Sequence, residues 1–278
     1  MANRTLAHAV LLCQLVLRNL SVGVSFPHRP DGISSKEFFR NICPPLPGNN
    51  KKQEDEPGIL DEFRSQRQFK EYAAKNYSTE DWRMHRWIYK KLTEHVDTQI
   101  GRVLDALETS GYADNTLVIF TSDHGDMDGS HKFEHKTVLY EEAVLIPLII
   151  SFPGHLPEGI KTEVLTSNGL DLYPSLLEYT GLKVPEELDY VNCINAALGE
   201  CKSRSFVPVE SEIGRAIVTD DYKYVMYDFG EDNEQLYDYA KDPGEMKNHI
   251  GSIESGDLQN QFNLTWSIEQ RNKNISPL

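Results

Sequence analysis

Leu117-Val118-Ile119-Phe120-Thr121-Ser122-Asp123-His124-Gly125-Asp126 is the stretch on which the reading of this chain turns. Its first part, Thr116 to Thr121, is a continuous apolar run and fits a strand covered on both faces, as in a parallel sheet. A second run, Leu145 to Ser151, follows after a polar loop. Ahead of both lies the clearest helical pattern, from about Thr79 to Ser110. There Ile88, Leu92, Val96, Ile100, Val103, Leu104 and Leu107 recur at spacings of three and four and make one stripe. Gly111 closes that helix, as a residue able to adopt a left-handed conformation should. Helix, buried strand, loop, buried strand is the rhythm of a layered α/β sheet. The expected fold class is therefore α/β: a mixed, largely parallel sheet flanked by helices, with a small C-terminal antiparallel sheet.

Working outward, Asp171 to Gly181 reads as an amphipathic helix with Leu172, Leu176 and Leu177 inward and Tyr173 in the core. Arg215 to Thr219 and Tyr222 to Asp228 flank Asp220-Asp221, a hairpin signal, and Gln235 to Asp238 adds a third strand. A C-terminal helical tail follows. Asp61 to Tyr72 is expected to be helical. Ser25 to Pro57, rich in Pro, Gly, Asn and charge, is expected to be a long loop, within which Lys51 to Glu56 is a solvated charge run. The expected division is an N-terminal segment 1–21, an α/β domain 22–200, and an α+β subdomain with tail 201–278.

The 278 residues allow one large domain, or one domain and a small appendage. The formal net charge of −15 argues against a nucleic-acid partner, because phosphate binding needs basic surface. An acidic chain that acts on an anion needs a metal or a few aimed cations to supply local positive charge. Cys13, Cys43, Cys193 and Cys201 form no C-x-x-C pair, which excludes a structural zinc site of that kind. Cys193 and Cys201 are close enough to be bridged in an oxidising compartment, or are free thiols. Asn3-Arg4 and the apolar Leu6 to Leu17 have the outline of a signal peptide, interrupted by His8, Cys13 and Gln14. The preferred reading is a start misplaced upstream of a strand at Val22 to Phe26. That run is too short to span a bilayer, and no other segment is expected to be transmembrane.

Asp123 and His124 stand directly after the first buried strand, where α/β sheets place their ligand-binding residues. A carboxylate and an imidazole turned out by a following glycine suit a divalent cation. Taken alone, the tripeptide is more simply a turn cap beside an ordinary loop histidine. The continuation changes the balance: Gly129-Ser130-His131, Lys136, Leu139-Tyr140-Glu141-Glu142-Ala143 and Ile146-Pro147-Leu148-Ile149-Ile150. In that order these blocks resemble the sulfatase family of the alkaline-phosphatase superfamily. Further blocks are similar to the same family: Asp97 with Ile100 to Leu104, Asp171 to Leu177, Tyr222-Lys223-Tyr224, Gln235 to Asp238, and Lys241 to Glu245. The resemblance spans roughly Val22 to Asn248.

The resemblance implies a hydrolase of sulfate esters, assisted by calcium, with Asp123 and His124 as two metal ligands. It implies that Lys136 binds the sulfate ester and helps protonate the leaving-group oxygen. That agrees with the chemistry, since a departing alkoxide needs a proton donor and a sulfate needs cations. Val24 to Pro30 resembles the family's P-H-x-P strand end, with His28 facing the sulfate. His131 reads either as a pocket or second-shell residue or as a surface histidine. The partner implied is a sulfated small molecule or saccharide, and the location a periplasmic or secreted one by family tendency. Oligomeric state, like the particular sulfated compound, is not legible.

The family's nucleophile is a formylglycine made from a C/S-x-P/A-x-R motif. No cysteine here carries it: Cys43 is followed by Pro-Pro-Leu-Pro, and Cys201-Lys-Ser-Arg places Arg204 one position early. The family's adjacent pair of N-terminal aspartates is also absent. The expectation is an N-terminally truncated sulfatase, inactive alone. The competing expectations are a non-catalytic metal- or anion-binding fragment, and a phosphate or phosphonate ester hydrolase of the same superfamily.

Overall fold

The structure is a computed structural model that describes residues 32–65, 68–201, 203–252 and 256–265. His28 and the expected strand at Val22 to Phe26 lie outside the described residues. The chain divides into two compact units. Among the described residues one takes 32–51, 68–136 and 145–159; the other takes 52–65, 137–144 and 160 onward. The units interleave along the chain and do not follow the contiguous segments 22–200 and 201–278.

In the first unit the long helix predicted from the sequence is present. Ser78 caps it in a capping box: Ser78 N–H donates to the Asp81 carboxylate at 2.8 Å, and Asp81 N–H donates back to Ser78 Oγ at 3.2 Å. Because two orphan donors are satisfied there, the start is sharp. We number the helices of this unit α1, Ser35–Asn41; α3, Gln68–Asn76; and α4, Thr79–Thr109; α2, Gly58–Ser65, belongs to the second unit. Gly111 follows the C-cap with φ +79°, as the pattern requires. The buried positions of α4 are Trp82, Trp87 and Val96, with none in the turns beyond. Val103 is 69% exposed and Leu104 is exposed as well, so the stripe predicted to be buried opens to solvent toward the C-terminal end of the helix.

Helix α1 falls inside the region expected to be a loop. Its start carries the same capping logic: Ser34 Oγ accepts Glu37 N–H at 3.2 Å. Phe38 then packs edge-on against Trp87, ring centroids 5.1 Å apart, with Cys43 completing the cluster. Arg83 of α4 holds the exit of that segment, donating to the carbonyls of Cys43 at 2.7 Å and Pro44 at 3.0 Å.

Strands β1, Val118–Thr121, and β2, Leu148–Ser151, are the two predicted apolar runs. They pair antiparallel, Val118 opposite Ser151 and Thr121 opposite Leu148. No parallel pair occurs among the described residues. The α/β class stands, while the expectation that these runs are covered on both faces does not: β1 is half-buried throughout, and Ile149 of β2 is exposed. An apolar run reports that a strand forms; it does not report the direction of its neighbour.

The second unit holds α2, Gly58–Ser65; α5, Glu141–Val144; α6, Leu172–Tyr179; α7, Cys193–Leu198; and a helix at 256–265. The single helix expected at Asp61 to Tyr72 is thus two helices, one in each unit. Four strands make an antiparallel sheet in chain order: β3, Val207–Ser211; β4, Gly214–Val218; β5, Tyr222–Tyr227; and β6, Glu234–Asp238. The predicted hairpin is β4–β5, closed by Thr219, whose N–H and Oγ1–H both donate to Tyr222 O. Strand β3 escaped the sequence reading because Pro208 interrupts it. Its position at the sheet edge is where a residue without an N–H is tolerated.

One face of this sheet buries Ile217, Tyr224 and Leu236 against Phe262 of the C-terminal helix. The other buries Lys223, Gln235 and Tyr237, and it is hydrogen-bonded rather than purely apolar. Gln53 Oε1 accepts from Tyr237 Oη at 2.9 Å, and Lys223 Nζ lies 2.6 Å from Glu245 and 3.3 Å from Glu141. Gln53 and Glu56 lie in the charge run expected to be solvated, yet Gln53 is buried and the Glu56 side chain is 2% exposed, in a bidentate pair with Arg64. A buried charge survives in this way when a partner compensates its lost hydration.

Helix α6 is turned differently from expectation. Asp171, Pro174 and Ser175 face inward, and Asp171 accepts hydrogen bonds from Ser167 N–H, Val191 N–H and Arg204. Tyr173 is 60% exposed and Leu176 is exposed too. The polar anchor sets the rotation of the helix, so the leucine spacing does not.

Gly214 tests the tightness of the sheet. A Cβ there would come within 2.6 Å of Met226 O and 2.9 Å of Tyr227 Cα, so backbone must shift. Gly214→Ala is expected to destabilise the fold by about 1–3 kcal/mol, the usual range for overpacking, measured as a lowered urea midpoint with unchanged m-value.

Candidate active site

Strand β1 ends at Thr121, and the chain then runs Ser122-Asp123-His124-Gly125. Ser122 is buried; its hydroxyl donates to His124 O at 2.6 Å and accepts His124 N–H at 3.2 Å. The Asp123 carboxylate accepts His124 N–H at 3.0 Å and is otherwise turned outward, its side chain 74% exposed. His124 Nδ1 lies 2.7 Å from Gly125 O and, facing a carbonyl that can only accept, carries a hydrogen. Nε2 lies 3.3 Å from the second Asp123 oxygen. The Asp123 carboxylate and the His124 ring thus lie side by side.

The chain returns through a tight loop. Met127 N–H donates to His135 O at 3.2 Å and Gly129 N–H to Phe133 O at 2.8 Å. This closure brings the main chain at Lys136 back toward the Gly125–Asp126 segment, and Lys136 itself is half-buried. Of the six non-glycine residues with positive φ among the described residues, four lie here: Asp128, His131, Lys132 and Thr137. Each such conformation costs about 1–3 kcal/mol and persists where surrounding contacts over-determine it, a pattern that clusters at functional sites. His131 is completely buried, so the surface reading of that histidine is excluded.

Sequence reasoning missed a group behind this loop. His85 and Arg86 of α4 face Asp128, at 3.8 and 3.5 Å respectively, and His135 Nδ1 lies 4.0 Å from Asp126. Burial pushes Asp126 up to about 7, Asp128 up to about 6 and Glu134 up to about 6, while burial pulls His85 down to about 4. His85-Arg86 on one helix turn was a signal, but nothing in the sequence says which loop they meet.

Among the described residues no group of three or more His, Cys, Asp or Glu is placed to hold a metal ion. Asp123 and His124 fit a divalent cation as part of a shell: a hard carboxylate oxygen beside an imidazole nitrogen. Calcium takes about six to eight oxygen ligands, so this pair is a fraction of such a site.

The Sulfatase family model matches residues 61–182, and the model of the C-terminal region of N-sulphoglucosamine sulphohydrolase matches 129–272. The chain is 34% identical over 199 residues to the Escherichia coli protein described as uncharacterized sulfatase YidJ, covering 66% of this chain and 37% of that one. It is 31% identical over 180 residues to an N-acetylglucosamine-6-O-sulfatase of Bacteroides thetaiotaomicron, covering 60% of this chain and 32% of that one. The solved structure of a 2-O GAG sulfatase superposes with a TM-score of 0.74 at 27% identity, covering 94% of this chain and 57% of that one. With a model match across more than half its length and its motifs in register, the chain belongs to the sulfatase family. It spans about a third of the length of the curated relatives it matches.

The buried carboxyls make a pH prediction. A carboxyl raised in the folded state stabilises the fold below its unfolded pKa, and that stability is lost as pH rises through the folded value. Asp126, Asp128 and Glu134 act in this sense between about pH 4 and 7, while His85, held low, acts in the opposite sense over part of that range. Three groups outweigh one. Urea midpoints are therefore expected to fall between pH 5 and 7.5, and Asp128→Asn to flatten that dependence.

Proposed function

We propose that this chain supplies the cation- and sulfate-binding part of a calcium-assisted sulfuric ester hydrolase. The observation that carries the reading is the loop that leaves the end of β1 with Asp123 and His124 and closes on itself where Met127 N–H meets His135 O, one residue before Lys136. In a chain of net charge −15, a sulfate must be met by cations aimed at it, and this loop offers both a cation ligand pair and an ammonium.

Asp123 and His124 would hold calcium, which when bound would draw negative charge from the sulfate oxygens. Lys136 would hold a sulfate oxygen and give a proton from Nζ to the departing alkoxide, so that the S–O bond breaks toward a neutral alcohol. His131, buried behind the turn, would fix the loop rather than present itself to solvent. The nucleophile is assigned to no residue here: no cysteine lies in a C-x-P/A-x-R motif, and the serine match, Ser25-Phe26-Pro27-His28-Arg29, lies outside the described residues; we propose that these residues alone do not turn over. The substrate class proposed is a sulfated small molecule or saccharide. Its support is the N-acetylglucosamine-6-O-sulfatase and the 2-O GAG sulfatase among the relatives.

Calcium titrated calorimetrically into the chain is expected to bind, and Asp123→Asn to weaken it by about tenfold or more, as loss of an anionic ligand should. Equal affinity in variant and wild type removes Asp123 from the site. In a form of the enzyme that turns over, Lys136→Ala should cost about 10²–10⁴ in kcat for alkyl sulfates, the usual worth of a positioned acid. The loss should be smaller for nitrophenyl sulfate, whose leaving group needs less protonation. A uniform loss across both esters would make Lys136 a binding group only, and faster release of phosphate than sulfate from matched aryl esters would reassign the ester class.

A further inference from the structure

The turn at Gly129–Lys132 is held from one side by two consecutive asparagines. Asn49 is buried. Its carbonyl accepts His131 N–H at 2.8 Å, and its side-chain Nδ2 lies 3.3 Å from His131 Nε2. Asn50 repeats the pattern one residue on: its Nδ2 donates to Gly129 O, and its Oδ1 accepts from Lys132 Nζ at 2.8 Å. The clamp is itself built by a turn, in which Asn50 N–H donates to Pro47 O at 3.1 Å and Lys51 N–H to Asn49 O at 2.7 Å.

An amide NH₂ can only donate, so the ring nitrogen facing it must accept. In a neutral imidazole the other nitrogen then carries the hydrogen. We propose that Asn49 is a positioning residue that acts through His131, locking the buried ring as its neutral Nδ1–H tautomer and holding its backbone in the left-handed region. The backbone half of the clamp offsets the strain of φ +50° at His131 and +63° at Lys132. The side-chain half orients the ring. A consequence for turnover rests on the sulfate-site reading above; the tautomer is a property of this chain whatever it binds.

The test is long-range ¹⁵N–¹H correlation of the histidine rings in the full chain, with His131→Gln identifying the His131 signals. The wild-type ring is expected to show protonated Nδ1 and bare Nε2. Asn49→Asp, near in shape but able only to accept, should move the hydrogen to Nε2. Asn49→Ala, which keeps the backbone acceptor, should leave a mixture of both tautomers. A wild-type ring protonated on Nε2, or a ring unchanged by Asn49→Asp, overturns the proposal. If the variants do not fold, the wild-type spectrum decides alone. Adding inorganic sulfate to the wild type separates the two claims: a Lys136 Nζ signal unmoved by sulfate counts against the sulfate site, while the ring spectrum still judges Asn49.

Discussion

Asn49 meets His131 twice, with its carbonyl and with its side-chain amide, while Asn50 grips Gly129 and Lys132 on either side. Between Asp128 and Lys132 the backbone enters the left-handed region four times, only once at a glycine. Left to local preference, these residues would relax to ordinary conformations, and the course of the loop would change. That course decides where Lys136 lies relative to Asp123 and His124. The loop therefore depends on hydrogen bonds made by a segment more than seventy residues earlier in the chain. Gly129 has its own reason to lack a side chain, since a Cβ would sit 3.2 Å from both Asn50 Nδ2 and the Trp82 ring.

Charge is handled differently in the two units. In the second, Lys223 and Arg64 are buried against carboxylates, Glu245 with Glu141 and Glu56 respectively. Such pairs are strongly specific in geometry, because removing either partner strands a buried charge. In the first, the carboxyls of Asp126, Asp128 and Glu134 are pushed toward neutrality by burial, with Arg86 and His85 beside Asp128. A chain this acidic thus keeps some of its charge out of the ionised state near the candidate site.

Much of the fold was legible. The long helix α4, its capping box and its closing glycine follow from spacing and local hydrogen bonds, as does the β4–β5 hairpin around Asp220-Asp221. The errors have a common form. Helix α1 carried a Ser34…Glu37 cap that a loop-like composition obscured, and Pro208 hid an edge strand. Val103, Leu104, Tyr173 and Leu176 have the residue type of a core and are exposed. Burial is a property of the neighbour, and spacing within one helix cannot name it.

The order of motifs from Asp123 through Lys136 to Glu245 was enough, without coordinates, to indicate the family and to place a carboxylate and an imidazole at the end of a strand. These are local matters, settled by residues adjacent in the chain. The antiparallel pairing of β1 with β2, the burial of His131, the asparagine clamp and the acidic group opposite His85 and Arg86 were decided only by tertiary structure. Each requires two distant segments to meet. The free energy of that meeting comes from packing and from satisfying buried polar groups, neither of which is written in any one stretch of sequence.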